Sequence, residues 1–119
     1  MIQARYDQKR NAVILDFSGK IDAPQAEQFY LDIQKIIPKC GKGFKLLTDL
    51  SAVQEMGQDL RNSVKKTMDL FNAKGVTKII RVIPDPEKDI GFNIMSLFHY
   101  SKDVSFVTVP SRQEAEARL

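Results

Sequence analysis

Side chains that could carry catalysis are few in this chain of 119 residues. His99 is its one histidine and Cys40 its one cysteine. A Ser–His–Asp or Cys–His mechanism would depend on His99, which falls on an otherwise apolar helical segment, so both are disfavoured. Cys40 has no partner for an intrachain disulfide and no nearby ligand for a zinc site. The composition therefore argues against most hydrolytic chemistry and against a metal site. We expect a protein that is not an enzyme and needs no cofactor, and an enzyme is the third choice of function.

Phosphoryl transfer is a second kind of chemistry to consider, because of the position of Asp49. This residue ends a short apolar segment, as the phosphorylated aspartate of a response-regulator receiver does. A receiver also needs an acidic pair after its first strand to hold Mg²⁺, and a lysine after its last strand. Asp16 stands alone, and residues 104–110 contain no lysine. The receiver interpretation is therefore rejected.

Four lysines flank two glycines in the middle of the chain: Lys35, Lys39, Lys42 and Lys45. Their spacing does not match the G-x-x-x-x-G-K-[ST] loop that cradles phosphates, so a solvated loop is the favoured interpretation. Basic and acidic residues number 18 and 15 and are interspersed along the chain. Nucleic-acid binders usually concentrate their cations on one face, so the pattern disfavours a nucleic-acid partner.

Hydrophobic periodicity predicts the elements that must position these residues. Alternating apolar residues at the start of the chain predict a β-hairpin with its turn at residues 8–11. Further strands are predicted at residues 44–50, 76–83 and 104–109. Helices are predicted to begin near Pro24, Leu60, Pro86 and Ser111. The order β-β-α-β-α-β-α-β-α predicts an α/β fold with a mixed, mainly parallel sheet, an antiparallel edge hairpin and about four helices.

Two segments together carry a family resemblance: FSGKIDAPQAEQF at residues 17–29 and LLTDLSAVQEM at residues 46–56. They resemble the STAS domain, named for sulfate transporters and anti-sigma factor antagonists. The family pattern is matched at Gly19, Ile21, Asp22, Ala26, Asp49, Leu50, Ser51, Val53 and Met56. The resemblance covers nearly the whole chain and implies a single STAS-like domain over residues 1–119. Asp22 is also a good helix N-cap, and capping is its favoured role.

In the family, the second segment continues into Asp-Ser-Ser-Gly-Leu, and antagonist members are phosphorylated on the first serine by a partner kinase. Gln58 occupies that position here, or Leu60 if the alignment slides by two residues, so no hydroxyl is available. Neither Ser51 nor Ser63 is a natural substitute. The resemblance implies a non-enzymatic protein-interaction module in bacterial regulation, without the phosphorylation switch, whose partner could be an anti-sigma factor-like kinase. Its expected contact residues are Met56, Gly57, Gln58, Asp59 and Asp85.

The predicted third helix, over residues 90–100, is apolar on more than one face. Burial within the fold is the favoured explanation, but a second copy of the chain, a protein partner or a lipid-like ligand would also cover it. The alternative function is therefore a carrier or sensor of a small apolar or lipid-like ligand, bound near Phe92, Met95 and His99. No segment approaches the roughly 18 apolar residues of a membrane span, and the first ten residues lack the apolar region of a signal peptide. The sequence predicts a cytoplasmic protein.

Overall fold

A computed structural model describes residues 1–57, 60–83 and 104–119. Its helices and strands are β1 (Ile2–Asp7), β2 (Ala12–Ile21), α1 (Ala23–Ile36), β3 (Lys45–Met56), α2 (Arg61–Lys74), β4 (Lys78–Val82), β5 (Ser105–Val109) and α3 (Arg112–Ala117). A short 3-10 turn, Ile37–Lys39, follows α1 at the predicted proline stop. The helix predicted to begin near Pro86 lies outside the described residues.

The five strands form one sheet in the order β1-β2-β3-β4-β5. The β1–β2 pair is antiparallel, and every other neighbouring pair is parallel. The predicted mixed sheet with an antiparallel edge hairpin is thereby confirmed. It arises because a tight turn joins β1 to β2, whereas α1 carries the chain back between β2 and β3, and α2 does so between β3 and β4.

The two faces of the sheet carry different helices. The core on one face joins β2 and β3 to α1 and α2, with Phe29 and Phe71 buried among its largest side chains. The core on the other face packs against α3 through Ala115. Successive residues of a strand point to opposite faces, so Leu15 belongs to the first core and Ile14 to the second.

Strand β3 is longer than its sequence predicts. The predicted strand ends at Leu50, whereas β3 continues to Met56. The additional residues of β3 pair in parallel with the second half of β2, and the last register pair is Ile21 and Met56. On its other side, β3 pairs with β4 only as far as Asp49. Polar residues on the exposed side of this extension give it the composition of a loop. The pairing along β2 passes two irregularities, and Gly19 supplies a positive φ of 68° beside the second.

Local capping chemistry sets the helix ends as predicted. The Asp22 carboxylate accepts a hydrogen bond from the backbone N–H of Gln25 at 2.9 Å, so its predicted capping role is confirmed. The Ser111 hydroxyl accepts one from Glu114 N–H at 3.2 Å and caps α3. Gly75 ends α2 with φ of 97°, in the left-handed conformation that glycine adopts without strain. In the described part of the chain, no helix has the length and hydrophobicity needed to cross a membrane.

Candidate functional site

Strands β2 and β3 end side by side, and we call this end of the molecule, residues 20–22 and 54–57, the carboxyl edge. Ile21 and Met56 are register partners in the last pair of the ladder. The backbone N–H of Gly57 then donates to the Ile21 carbonyl at 3.3 Å, which continues the link by one residue beyond the strands. Two of the predicted contact residues, Met56 and Gly57, therefore lie where the chain leaves the sheet and turns toward α2.

The remaining predicted site residues fall outside the described part of the chain. These are Gln58, Asp59 and Asp85 of the predicted partner surface, and Phe92, Met95 and His99 of the predicted ligand pocket. Helix α2 begins just beyond Gly57. Its cap residue Leu60 has helical backbone angles and no side-chain capping bond, and its N–H donates to the Gly57 carbonyl at 3.5 Å.

The N-terminal halves of α1 and α2 are joined by hydrogen bonds to Glu27. The Ser63 hydroxyl and the Lys66 ammonium group both donate to Glu27 Oε1, Lys66 at 3.2 Å. The hydrogen bond from Ser63, followed by the contribution of Lys66, holds the pKa of Glu27 below its usual value. Lys66 also lies 4.7 Å from the ring centroid of Tyr30. These contacts fix the spacing of the two helix starts.

The outer surface of the carboxyl edge is polar and open to solvent. Along the extension of β3, Ser51, Ala52, Gln54 and Glu55 are exposed, whereas Val53 turns into the core. Lys20 of β2 faces Glu55 with 4.0 Å between nitrogen and oxygen, and both side chains are more than two-thirds exposed, so their attraction is weak. The edge thus presents a short two-stranded ribbon whose side chains are available for contact.

A charged cluster that the sequence did not reveal lies on the face of the sheet that α3 covers. Arg112 Nη1 donates to Asp16 Oδ1 at 2.5 Å and to Asp49 Oδ2 at 3.0 Å, and Arg112 Nε donates to Glu116 at 3.3 Å. Asp49 also accepts from the Ser51 hydroxyl at 2.6 Å. Asp16 and Asp49 are register partners on neighbouring strands, so one guanidinium group can bind both carboxylates at once.

The Arg112 cluster fastens α3 to the sheet. Burial alone would lower the pKa of the Arg112 guanidinium, but its hydrogen bonds to Asp16 and Asp49 outweigh burial and raise that pKa above its ordinary value. At the other end of the helix, Lys45 and Lys78 donate to the main-chain oxygens of Leu119 and Arg118 at 2.6 and 2.7 Å. Across residues 1–57, 60–83 and 104–119, no group of three metal-ligating side chains comes together.

An open groove of about 270 Å³ runs beside the edge strand β1. Its lining includes Ile2, Gln28, Phe29 and Asp32, so its walls come from β1 and from the flank of α1.

No protein-family model and no curated protein matches this chain. Solved structures do match it over almost its whole length. An uncharacterised protein of the DUF3478 family with a SpoIIAA-like fold, from Shewanella loihica PV-4, is 12% identical with a TM-score of 0.73, over 100% of this chain and 92% of that one. The anti-sigma factor antagonist SpoIIAA in its unphosphorylated form is 17% identical with a TM-score of 0.69, over 99% and 96%.

A third match comes from the structure of the diguanylate cyclase SiaD in complex with its activator SiaC from Pseudomonas aeruginosa. It is 7% identical with a TM-score of 0.61, over 92% of this chain and 93% of the matched one. At such low identities the likeness concerns the fold, and it agrees with the order of strands and helices described above. This chain has the SpoIIAA-like fold of STAS domains.

Proposed function

We propose that this domain is a non-enzymatic protein-interaction module in bacterial regulation that binds its partner at the carboxyl edge and the start of α2. The contact residues in this proposal are Met56, Gly57, Gln58, Asp59 and Asp85. The observation that carries it is the likeness of the whole chain to the anti-sigma factor antagonist SpoIIAA. An anti-sigma factor-like kinase is the first partner to test.

The names of the similar proteins support a regulatory role. SpoIIAA is an anti-sigma factor antagonist, and SiaC is the activator of a diguanylate cyclase with which it forms a complex. Both act on another protein. A domain that works by surface contact needs no catalytic side chains, which agrees with the scarcity of histidine and cysteine in this chain.

The geometry of the carboxyl edge supports a binding role there. The ladder between β2 and β3 and the contacts of Glu27 with α2 hold the edge in a fixed shape, so little conformational entropy would be lost on binding. Gln54 and Glu55 are exposed on the same edge and offer polar groups beside the predicted contact residues. A rigid polar surface of this kind suits recognition of a folded partner.

We further propose that binding is not switched by phosphorylation near the start of α2. Within the described residues, Ser51 and Ser63 are the serines close to that surface, and both hydroxyls donate to carboxylates. Ser63 is only 6% exposed and donates to Glu27, and Ser51 donates to Asp49. Ser63 would have to leave Glu27 and become exposed before a kinase could reach its oxygen.

A pull-down from the native host tests the partner surface. Immobilised wild-type protein is compared with Gln58→Lys, with Asp59→Lys, and with Glu114→Lys, which adds a lysine on exposed α3. Mass spectrometry identifies the proteins retained. A partner held by wild type and Glu114→Lys but lost from the two edge variants supports the proposal. Equal recovery on all four folded proteins would place the binding site elsewhere.

A further inference from the structure

Six basic side chains gather at the end of the molecule opposite the carboxyl edge, and we call them the basic end: Lys9, Lys35, Lys39, Lys42, Lys74 and Arg118. All six residues are exposed. Within the described residues, none of the six side chains forms an ion pair with an acidic group. They make up a third of the 18 basic residues of the chain.

The topology of the sheet produces this gathering. Strands β2, β3 and β4 run parallel, so the segments that lead into them meet at one end of the sheet. Lys9 lies in the turn before β2, Lys39 and Lys42 lie in the segment before β3, and Lys74 closes the helix before β4. Basic residues that are separated along the sequence are therefore brought to the same end of the folded domain.

Hydrogen bonds hold the three segments against one another. The Asn11 side chain accepts from Gly41 N–H at 3.0 Å and donates to the Lys42 carbonyl at 3.1 Å, which joins the turn before β2 to the segment before β3. The Thr77 hydroxyl donates to the Gly43 carbonyl at 2.8 Å and joins the segment before β4. The backbone that carries the lysines is therefore a connected surface.

Lys74 belongs to the same surface as the segment before β3. Thr77, three residues beyond Lys74, donates its backbone N–H to the Phe44 carbonyl at 3.0 Å, which holds the end of α2 beside that segment. In agreement with this placement, burial raises the pKa of the Cys40 thiol and the Lys74 ammonium opposes that effect.

Two acidic groups at this end, among the residues that the structure describes, are already occupied: Asp7 binds Arg10 at 2.7 Å, and Glu116 binds Arg112 at 3.3 Å. These two groups therefore leave the charge of the six cations uncancelled.

We propose that the basic end docks this domain on an anionic lipid membrane surface. Five of the six cations are lysines, which are compact charges suited to a diffuse negative surface, whereas specific phosphate recognition favours the planar fork of arginine. Lysine is also depleted in protein interfaces. In the segments 8–11, 37–44 and 75–77, all of which the structure describes, the one aromatic residue is Phe44, and it is fully buried. The ring of Tyr6 lies beside these segments, but it is partly buried and its hydroxyl is bonded to Asn11 and Gly41. The described part of the basic end thus offers no fully exposed ring on which nucleic-acid bases could stack.

Membrane docking by the basic end would leave the proposed partner surface free, and it does not depend on a partner binding there. The carboxyl edge lies at the far ends of the same strands, so it would point away from the membrane and stay accessible. Attraction of this kind is electrostatic and acts over about 8 Å at physiological ionic strength, so it should weaken steeply as salt is added.

Vesicle co-sedimentation tests the proposal with the purified chain. Vesicles of phosphatidylcholine mixed with phosphatidylglycerol are compared with vesicles of phosphatidylcholine alone, at physiological salt. We expect wild type to bind only the mixed vesicles. The double variant Lys39→Glu/Lys42→Glu should lower the partition coefficient by a factor of about 10 or more. The control Lys20→Glu/Lys65→Glu makes the same change in net charge away from the basic end and should stay within about twofold of wild type.

Three outcomes would overturn the proposal, given that circular dichroism shows all proteins folded. Wild type could leave mixed vesicles unbound. The control variant could lose as much binding as the basic-end variant, in which case only net charge matters. Duplex DNA could bind wild type under conditions where the mixed vesicles do not, which would assign the basic end to nucleic acid. None of these results depends on the partner proposed for the carboxyl edge.

Discussion

Arg112 Nη1 lies 3.0 Å from Asp49 Oδ2, and this ion pair joins the last helix of the chain to the centre of the sheet. Asp49 is only 8% exposed, so its charge has little access to water as an alternative partner. The same guanidinium group reaches Asp16 on the neighbouring strand. Helix α3 has six residues, too few to be stable alone in water, so its docking depends on these contacts.

Replacing Arg112 should therefore destabilise the fold. We expect Arg112→Met to lower the free energy of unfolding by about 1–2 kcal/mol, a value that allows for the partial exposure of the guanidinium. Urea denaturation followed by circular dichroism measures the change. Gln113→Ala, on the exposed side of the same helix, should stay within about 0.5 kcal/mol of wild type. Equal changes in the free energy of unfolding for the two substitutions would show that the Arg112 contacts do not stabilise the fold.

Removing the N-cap of α1 should lower the free energy of unfolding by about the contribution of one capping hydrogen bond. Asp22→Ala leaves the Gln25 N–H without its side-chain acceptor and should lower the free energy of unfolding by about 1 kcal/mol. Asp22→Ser keeps an acceptor and should recover most of that loss. The same denaturation experiment reports both variants. If serine were no better than alanine, the effect of Asp22 would not be capping.

Protonation of Glu27 should weaken the tie between α1 and α2. Its pKa is lowered in the folded state, so its contribution to stability is present above the unfolded pKa of about 4.3 and is lost as the pH falls through the folded pKa. Stability measured from about pH 6 to about pH 3 should fall less steeply in Glu27→Gln than in wild type. Ser63→Ala removes the leading cause of the shift and should give an intermediate slope. Identical slopes in all three would refute this role.

A negative charge at Ser63 should not be tolerated. Ser63→Asp places a carboxylate against Glu27 in a nearly buried position, and we expect it to lower the free energy of unfolding by about 2–3 kcal/mol. The double variant Ser63→Asp/Glu27→Gln should regain part of this loss because the repulsion is removed. Full stability of Ser63→Asp would instead mean that the site can accept a phosphate group, which would contradict the proposed absence of a switch.

Features that depend on neighbouring residues were predictable from the sequence. The hairpin follows from alternation in residues 2–17, and the caps at Asp22 and Ser111 follow from residue type and position. Each involves contacts within a few residues, so a pattern in the sequence is enough to identify it.

Features that depend on distant pairing were not predictable. The extension of β3 forms because β2 offers a partner as far as Ile21, which the polar residues of β3 themselves do not indicate. Arg112 meets aspartates 96 and 63 positions away in sequence. The basic end draws on four separate parts of the chain, and only the parallel order of the strands brings them together.

Site-directed photo-crosslinking in the native host tests the central claim, that a protein partner binds the carboxyl edge, most directly. A photoreactive amino acid is placed at Glu55 on that edge or at Lys42 at the basic end, both of which are exposed. The account predicts a crosslinked protein adduct from position 55 and none from position 42, with mass spectrometry identifying the partner. A protein adduct from position 42 and none from position 55 would contradict it.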